Sequence, residues 1–348
     1  MSPPRISICI LAGHGSQTLS DCLDSLLAQI DAPPHELIIG GRHGEAELSV
    51  VARRFPHAKI CKSDAGHPGS ARNALIAQAE GDLLLFLDDD VTVSPDLLAR
   101  LAELASRYPR ASVFGGPNDT PPQSSAFQLI QGAVLGSLVG SGPVSRRYGA
   151  RHPGPADERW FTLCNLAVRR EVMLPFRDDL ICAEENALLS QLRAKGELMR
   201  YEPSLRVFHR RRSSWREFAS QMFKYGRGRG QLLVRHPGTI RLAYLIPSAL
   251  LLYALLVIVL AVSGATYTGL LLVPLGLYGL LALAGSLWIA LTLRMPSALP
   301  RALALTLTVH GGYGIGVLRG VVAPRRSPPP ATVRGARLDE ATAPEPGR

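Results

Sequence analysis

Three consecutive acids, Asp88-Asp89-Asp90, close the apolar run Leu83-Leu84-Leu85-Phe86-Leu87. Adjacent carboxylates repel one another unless a cation or solvent screens them. A divalent metal carrying a diphosphate supplies such a cation, because Mg²⁺ is commonly held by one or two carboxylates, substrate phosphates and water. Taken alone, the segment fits equally well a strand end followed by an acidic turn and a helix. In that reading Ser94 is the N-cap and Pro95 the first helical residue.

The hydrophobic pattern sets out the elements that must position these acids. Strand-like runs fall at Arg5–Leu11, Glu36–Ile39, Ala58–Cys61, Leu83–Leu87 and Ser112–Phe114. Helical spacing covers Thr18–Gln29, Glu45–Phe55, Ser70–Ala79 and Pro95–Tyr108. Such alternation implies an α/β fold with an open, largely parallel sheet, in which ligands bind outside the carboxyl ends of strands. Asp88–Asp90 occupy that kind of position. Pro117–Ser125 reads as a loop. Phe127–Val139 is apolar but too short to span a bilayer, and fits a core helix and an interfacial helix equally. Gly140–Asp157, rich in Gly, Pro and Arg, reads as a mobile loop over an active site.

Leu245–Val262 and Leu270–Leu293 are nearly all apolar and long enough to cross a membrane, whereas Ala302–Val322 is interrupted by His310, Arg319 and several glycines. The expected organisation is a cytosolic domain over 1–240, a membrane region with two or three transmembrane helices over 241–323, and a disordered Pro/Arg-rich tail over 324–348. Two spans return Arg294 to the cytosol, in keeping with the positive-inside tendency; a third full span would place Arg325 and Arg326 outside, against it.

The net charge of +10 lies largely beside these apolar runs, and no zinc-finger or aromatic-rich RNA-binding pattern accompanies it. Membrane lipid, and no nucleic acid, is therefore the expected partner. The five cysteines (Cys9, Cys22, Cys61, Cys164 and Cys182) are scattered and lack metal-site spacing, which reads as reduced thiols. Met1–Arg5 leads straight into the first strand with no secretory signal, placing the soluble part on the cytosolic side.

Several further segments lie in a fixed order around the acids. Gly69-Ser70-Ala71-Arg72-Asn73 precedes the acidic strand, and Thr162–Arg170 sets Asn165 before an apolar run and a basic pair. Ala183-Glu184-Glu185-Asn186 follows, then the strand-like Tyr201–His209, then Gln221–Arg229 ahead of the first apolar span. Over roughly residues 5–260 this order resembles the family-2 inverting glycosyltransferases of GT-A fold, a Rossmann-like nucleotide-diphospho-sugar transferase domain. Within that family it looks most like the membrane-associated enzymes of bacterial exopolysaccharide synthesis, such as the succinoglycan type.

The resemblance implies a set of roles. Arg72 and Asn73 would organise the donor side, together with Asp89. Asp88 and Asp90 would be the two acids of the Asp-x-Asp motif, holding Mg²⁺ or Mn²⁺ against the diphosphate of a nucleotide-sugar, where the metal neutralises charge on the departing group. Glu185 stands where the family has its general-base Asp and is one methylene longer; an inverting transfer needs a carboxylate to take the acceptor's proton. Glu184 and Glu185 also suit a plain helix start, and Asn165 an ordinary strand and turn. Asn165, Glu184, Gln221 and Arg227 would lie on the acceptor or phosphate side. Gln221 corresponds loosely to the Gln of a Gln-x-x-Arg-Trp motif whose Arg-Trp half is absent, which disfavours a processive polymerase.

One departure stands out. The second strand ends in Ile38-Ile39-Gly40-Gly41-Arg42-His43 without the family's acids, and Ala12-Gly13-His14-Gly15 follows the first strand without one. Asp64 is the acid left to contact the donor base. The expectation is a membrane-anchored, multi-pass inner (plasma) membrane glycosyltransferase with a cytosolic catalytic domain. It would serve cell-surface or exopolysaccharide synthesis and take a polyprenyl-linked or glycan acceptor. The alternative is a catalytically inactive membrane scaffold or nucleotide-binding protein. A transporter is disfavoured by the few spans.

Overall fold

The computed structural model describes residues 3–13, 15–41, 45–63, 68–149, 152–180, 183–235, 241–266, 268–322 and 333–337. The chain divides into two units, one of residues 1–119, 149–210 and 327–348, the other of 120–148 and 211–326.

The first unit is built on β1 (Ile6–Ala12), β2 (His35–Gly41), β3 (Lys59–Ser63), β4 (Leu83–Asp88), β5 (Val91–Val93), β6 (Ala111–Gly115), β7 (Asn118–Asp119), β8 (Gly154–Pro155), β9 (Leu166–Arg169), β10 (Leu198–Tyr201), β11 (Val207–His209) and β12 (Val333–Arg337). Its helices are α1 (Ser16–Leu27), α2 (Glu45–Arg54), α3 (Pro68–Gln78), α4 (Leu97–Arg107) and, later in the chain, α7 (Glu184–Ala194). The main sheet runs β12-β3-β2-β1-β4-β9-β6-β10-β8, and a small sheet runs β5-β11-β7. β1 pairs parallel with β2 and β4, whereas β9 is antiparallel to both β4 and β6. The sheet is thus mixed at the inserted β9. β12 pairs antiparallel with β3, at a position where the sequence reads as tail.

Both faces of the sheet are buried, as a largely parallel sheet requires. Ile6, Ile8 and Ile10 pack on one side with Leu19, Leu23 and Leu101. Cys9 and Phe86 pack on the other with Leu75, Leu188 and Leu189. Cys9, Cys22, Cys61 and Cys164 are buried free thiols. Cys182 lies outside the described residues.

Two local expectations change. Helix α4 begins at Leu97, not Pro95, and its cap position is Asp96, without a side-chain cap bond. Ser94 instead belongs to the extended chain after β5: its N–H donates to Arg206 O (3.2 Å) and its carbonyl accepts from Gln29 Nε2 (2.7 Å). The region expected as a mobile loop, 140–157, holds a 3₁₀ helix at Gly142–Tyr148 and β8, which pairs with β10.

The second unit is helical: α5 (Ala126–Leu135), α6 (Leu138–Ser141), α8 (Trp215–Arg235), α9 (Ile246–Val262), α10 (Thr268–Thr292) and α11 (Ala298–Val322). Ser125 and Gln128 form a capping box that starts α5. Ile130 and Val134 of α5 are buried with Phe218, Met222, Ala302 and Leu305, so the segment 127–135 is a core helix of this unit. Glycines let α8 and α11 touch backbone to backbone. A Cβ on Gly226 would lie 2.0 Å from Tyr313 O, one on Gly316 2.3 Å from Phe223 O, and one on Gly320 2.2 Å from Arg227 O. The third apolar run is therefore a helix packed along its length on α8. By contrast, Leu242–Val262 and Thr268–Thr292 are long and apolar enough to cross a membrane, and little of either is buried within the protein. Leu255, Val259, Leu280 and Trp288 on them are exposed.

Candidate active site

Strand β4 delivers Asp88 at its carboxyl end, beside Leu11 of the central β1. The chain turns through Asp89 and Asp90 and re-enters as β5, which pairs antiparallel with β11 so that Val91 faces His209. The Arg210 N–H donates to Asp90 O at 3.1 Å, locking this register. As a result His209 Nε2 stands 3.2 Å from Asp90 Oδ1. One ligand atom from each of Asp88, Asp90 and His209 lies within 4.8 Å of the others.

This donor set fits a divalent cation. Two carboxylates suit Mg²⁺ or Mn²⁺, and the imidazole tilts the set toward a transition ion such as Mn²⁺. The middle acid also anchors the backbone. Asp89 is fully buried, and its Oδ2 accepts from the Gly13 N–H at 2.8 Å, fixing the loop between β1 and α1.

Helix α3 brings Arg72 to the same place. Its guanidinium donates to Glu184 Oε1 at 2.6 Å and to Asp88 Oδ1 at 3.3 Å, joining the metal-type acids to the start of α7. Arg72 and Glu184 are both buried. Burial, reinforced by Glu185 alongside and partly offset by Arg72, holds the Glu184 carboxyl above the usual carboxylate range. Glu185 is also buried and accepts a hydrogen bond from Asn186 Nδ2. Ala183, immediately before this pair, adopts a left-handed conformation with φ 68°. A non-glycine residue there is strained by about 1–2 kcal/mol, and the strain falls at the turn that aims both glutamates.

Other expected site residues have structural partners. Asn73 Nδ2 donates to Phe176 O (2.8 Å) and its Oδ1 accepts the Phe176 N–H (2.7 Å), so it clamps α3 to the segment that leads to α7. Asn165 is buried and donates to Leu205 O at 2.7 Å, tying β9 to the turn before β11. Gln221 and Arg227 lie on α8 of the second unit, where Gln221 Nε2 donates to the Tyr225 hydroxyl at 3.1 Å. Asp64 lies outside the described residues, as do Arg42 and His43 after β2. The sequence reading missed His209. It ends a short strand before a basic run, and no spacing in the chain ties it to Asp90; only the β5–β11 pairing does.

The mixed sheet, with a carboxylate pair at the carboxyl end of a central strand and helices on both faces, agrees with the GT-A fold that the resemblance implies. Residues 7–158 match Glycosyl transferase family 2. The succinoglycan biosynthesis protein ExoM of Rhizobium meliloti (strain 1021) is 35% identical over 91 residues, which are 26% of this chain and 27% of ExoM. ExoO of the same organism is 31% identical over 104 residues, 29% of this chain and 30% of ExoO. The chain thus spans about a third or less of the length of these two relatives. Among solved structures, the mannosyltransferase PcManGT from Pyrobaculum calidifontis, in complex with GDP-Man and Mn²⁺, superposes with a TM-score of 0.63 at 14% identity. That match covers 92% of this chain and 88% of PcManGT, and at this identity it is a likeness of fold.

Proposed function

We propose that this protein is a membrane-anchored, inverting hexosyltransferase that moves a sugar from a nucleotide-sugar to a hydroxyl acceptor, polyprenyl-linked or glycan, in cell-surface or exopolysaccharide synthesis. The observation that carries this reading is the convergence of Asp88, Asp90 and His209 within 4.8 Å on a family-2 domain. Similarity to succinoglycan biosynthesis proteins supports the pathway class, and the two exposed apolar helices support anchoring in the inner membrane. The solved relative with GDP-Man and Mn²⁺ makes GDP-mannose a first donor to try.

Asp88, Asp90 and His209 would hold Mn²⁺ or Mg²⁺, whose chemistry there is to neutralise charge on the departing diphosphate. The chain's own residues do the rest. Arg72 keeps Asp88 and Glu184 in fixed relation. Glu185 accepts the proton of the acceptor hydroxyl as that oxygen bonds the anomeric carbon. The bond from that carbon to the diphosphate oxygen breaks on the opposite face, so the product is inverted and the nucleotide diphosphate leaves with the bonding pair.

The test is nucleotide release from a panel of nucleotide-sugars by the detergent-purified full chain, with and without chelator, beside Asp90→Ala. Release of one nucleotide, lost with chelator and in the variant, supports the reading. The ending of β2 in Gly40-Gly41 without an acid favours the alternative, a non-catalytic relative. Metal-dependent nucleotide binding without turnover on any acceptor would establish that alternative.

A further inference from the structure

An open cleft of about 600 Å³ lies at the other end of the main sheet. It is formed where β6 and β10 begin, between the carboxyl ends of α4 and α7, and Arg107, Tyr108, Arg110, Arg193, Glu197 and Arg200 line it beside apolar residues. β6 and β10 are parallel, and both run in the direction of β4, so their starts lie opposite Asp88. The cleft therefore does not belong to the candidate active site. Its volume is that of sites that hold nucleotide-sized ligands.

The charges in the cleft are unevenly matched. Arg193 pairs with Glu158 at 3.0 Å, Arg200 pairs with Glu202, and Glu197 accepts from the Ser112 hydroxyl. Arg107 and Arg110 are exposed and have no acidic partner among the described residues. They are not needed to cap α4 either. Arg169 does that, donating to Ala105 O at 2.7 Å and to Ala111 O at 2.8 Å. The Tyr108 ring lines the cleft beside Arg107 and Arg110, with the Arg200 guanidinium 3.5 Å from its centroid and that of Arg107 5.6 Å. Planar guanidinium groups over an apolar floor match phosphate oxygens in forked pairs.

We infer that this cleft is a second ligand site, for a polyphosphate-bearing small molecule of nucleotide size, with Arg107 and Arg110 as its primary anion contacts. The site is independent of the transferase reading. Its position gives occupancy a consequence. The 11 residues of α7 span about 16 Å, and α7 carries Glu184 and Glu185 at its far end. β10 leads through Glu202–Arg206 to His209. A ligand bridging the start of β10 and the end of α7 would brace both elements that complete the active site.

The experiment is calorimetric titration of the full chain in detergent with inorganic tripolyphosphate, in chelator so that cation-dependent binding is silent. Wild-type protein and Asp90→Ala should bind alike. Arg107→Ala/Arg110→Ala should bind at least about tenfold more weakly, with Arg107→Lys/Arg110→Lys between. A parallel titration with ATP separates the sources: tighter ATP binding assigns the nucleoside to the ligand, and equal binding assigns the phosphate chain alone; either upholds the site. No binding by the wild type, unchanged binding in the alanine pair, or loss of binding in Asp90→Ala would each overturn it. An unchanged unfolding temperature confirms that the exposed-arginine variants are folded.

Discussion

The Nε2 atom of His209 stands 3.2 Å from Asp90 Oδ1, brought there by the antiparallel pairing of β11 with β5. A carboxylate pair alone makes an oxygen site, whereas an imidazole beside it favours a transition ion. His209→Ala should therefore lower Mn²⁺ affinity by about 10–100-fold, the scale on which even outer-shell partners of a metal act. Asp90→Ala should abolish Mn²⁺ binding. Mn²⁺ titration followed by electron paramagnetic resonance checks both, and unchanged affinity in the two variants would place the cation elsewhere.

Arg72 bridges two acids in a buried setting, Glu184 at 2.6 Å and Asp88 at 3.3 Å. Removing one partner of a buried ion pair typically costs about 3–5 kcal/mol, because the other charge is left uncompensated. Arg72→Met should lower the unfolding temperature markedly. Glu184→Gln added to it should recover part of the loss, since the remaining group is then neutral. Strictly additive effects of the two substitutions would show that the contact contributes nothing.

Far from this site, Glu36 is held below its ordinary value of 4.5. Burial acts to raise it, but the Ser7 hydroxyl, Lys59 and the Glu80 N–H, all bonded to its carboxylate, outweigh burial. The folded pKa is thus depressed relative to the unfolded chain. The stabilisation is present in full above the unfolded value and is lost as pH falls through the folded one. Glu36→Gln should flatten the acid limb of a stability-against-pH curve in that window. An identical acid limb in the variant would show that Glu36 does not titrate with folding.

In the second unit a Cβ at Gly226 would meet Tyr313 O at 2.0 Å, and the obstacle is backbone, which cannot rotate away. Overpacking of this kind costs about 1–3 kcal/mol or more. Gly226→Val should destabilise the helical unit in a detergent melt, while Gly269→Ala, with nothing within 4 Å of the added carbon, should not. Equal melting of both variants would mean that α8 and α11 are not in close contact in solution.

The sequence alone determined the elements that follow from local pattern. Apolar runs marked β1, β4 and the two long exposed helices, because burial on both faces of a sheet leaves a mark on nearly every residue of a strand and the two helices are apolar nearly throughout. The Asp88–Asp90 cluster was legible for the same reason, since adjacent charges at a strand end are conspicuous without a partner. The segment order around it was enough to indicate the family. Tertiary structure decided what each polar side chain does. Asp89 accepts from the Gly13 N–H and Asn73 clamps Phe176, contacts that no local pattern records. His209 carries no local signal and becomes part of the site only through strand pairing. Glycines at 226, 230, 316 and 320 interrupt the hydrophobic pattern, yet they are where α8 and α11 approach most closely. Hydrophobic periodicity records how much surface a residue buries. It does not record which distant backbone a hydrogen bond or a missing Cβ will meet, and that is fixed only when the chain has closed.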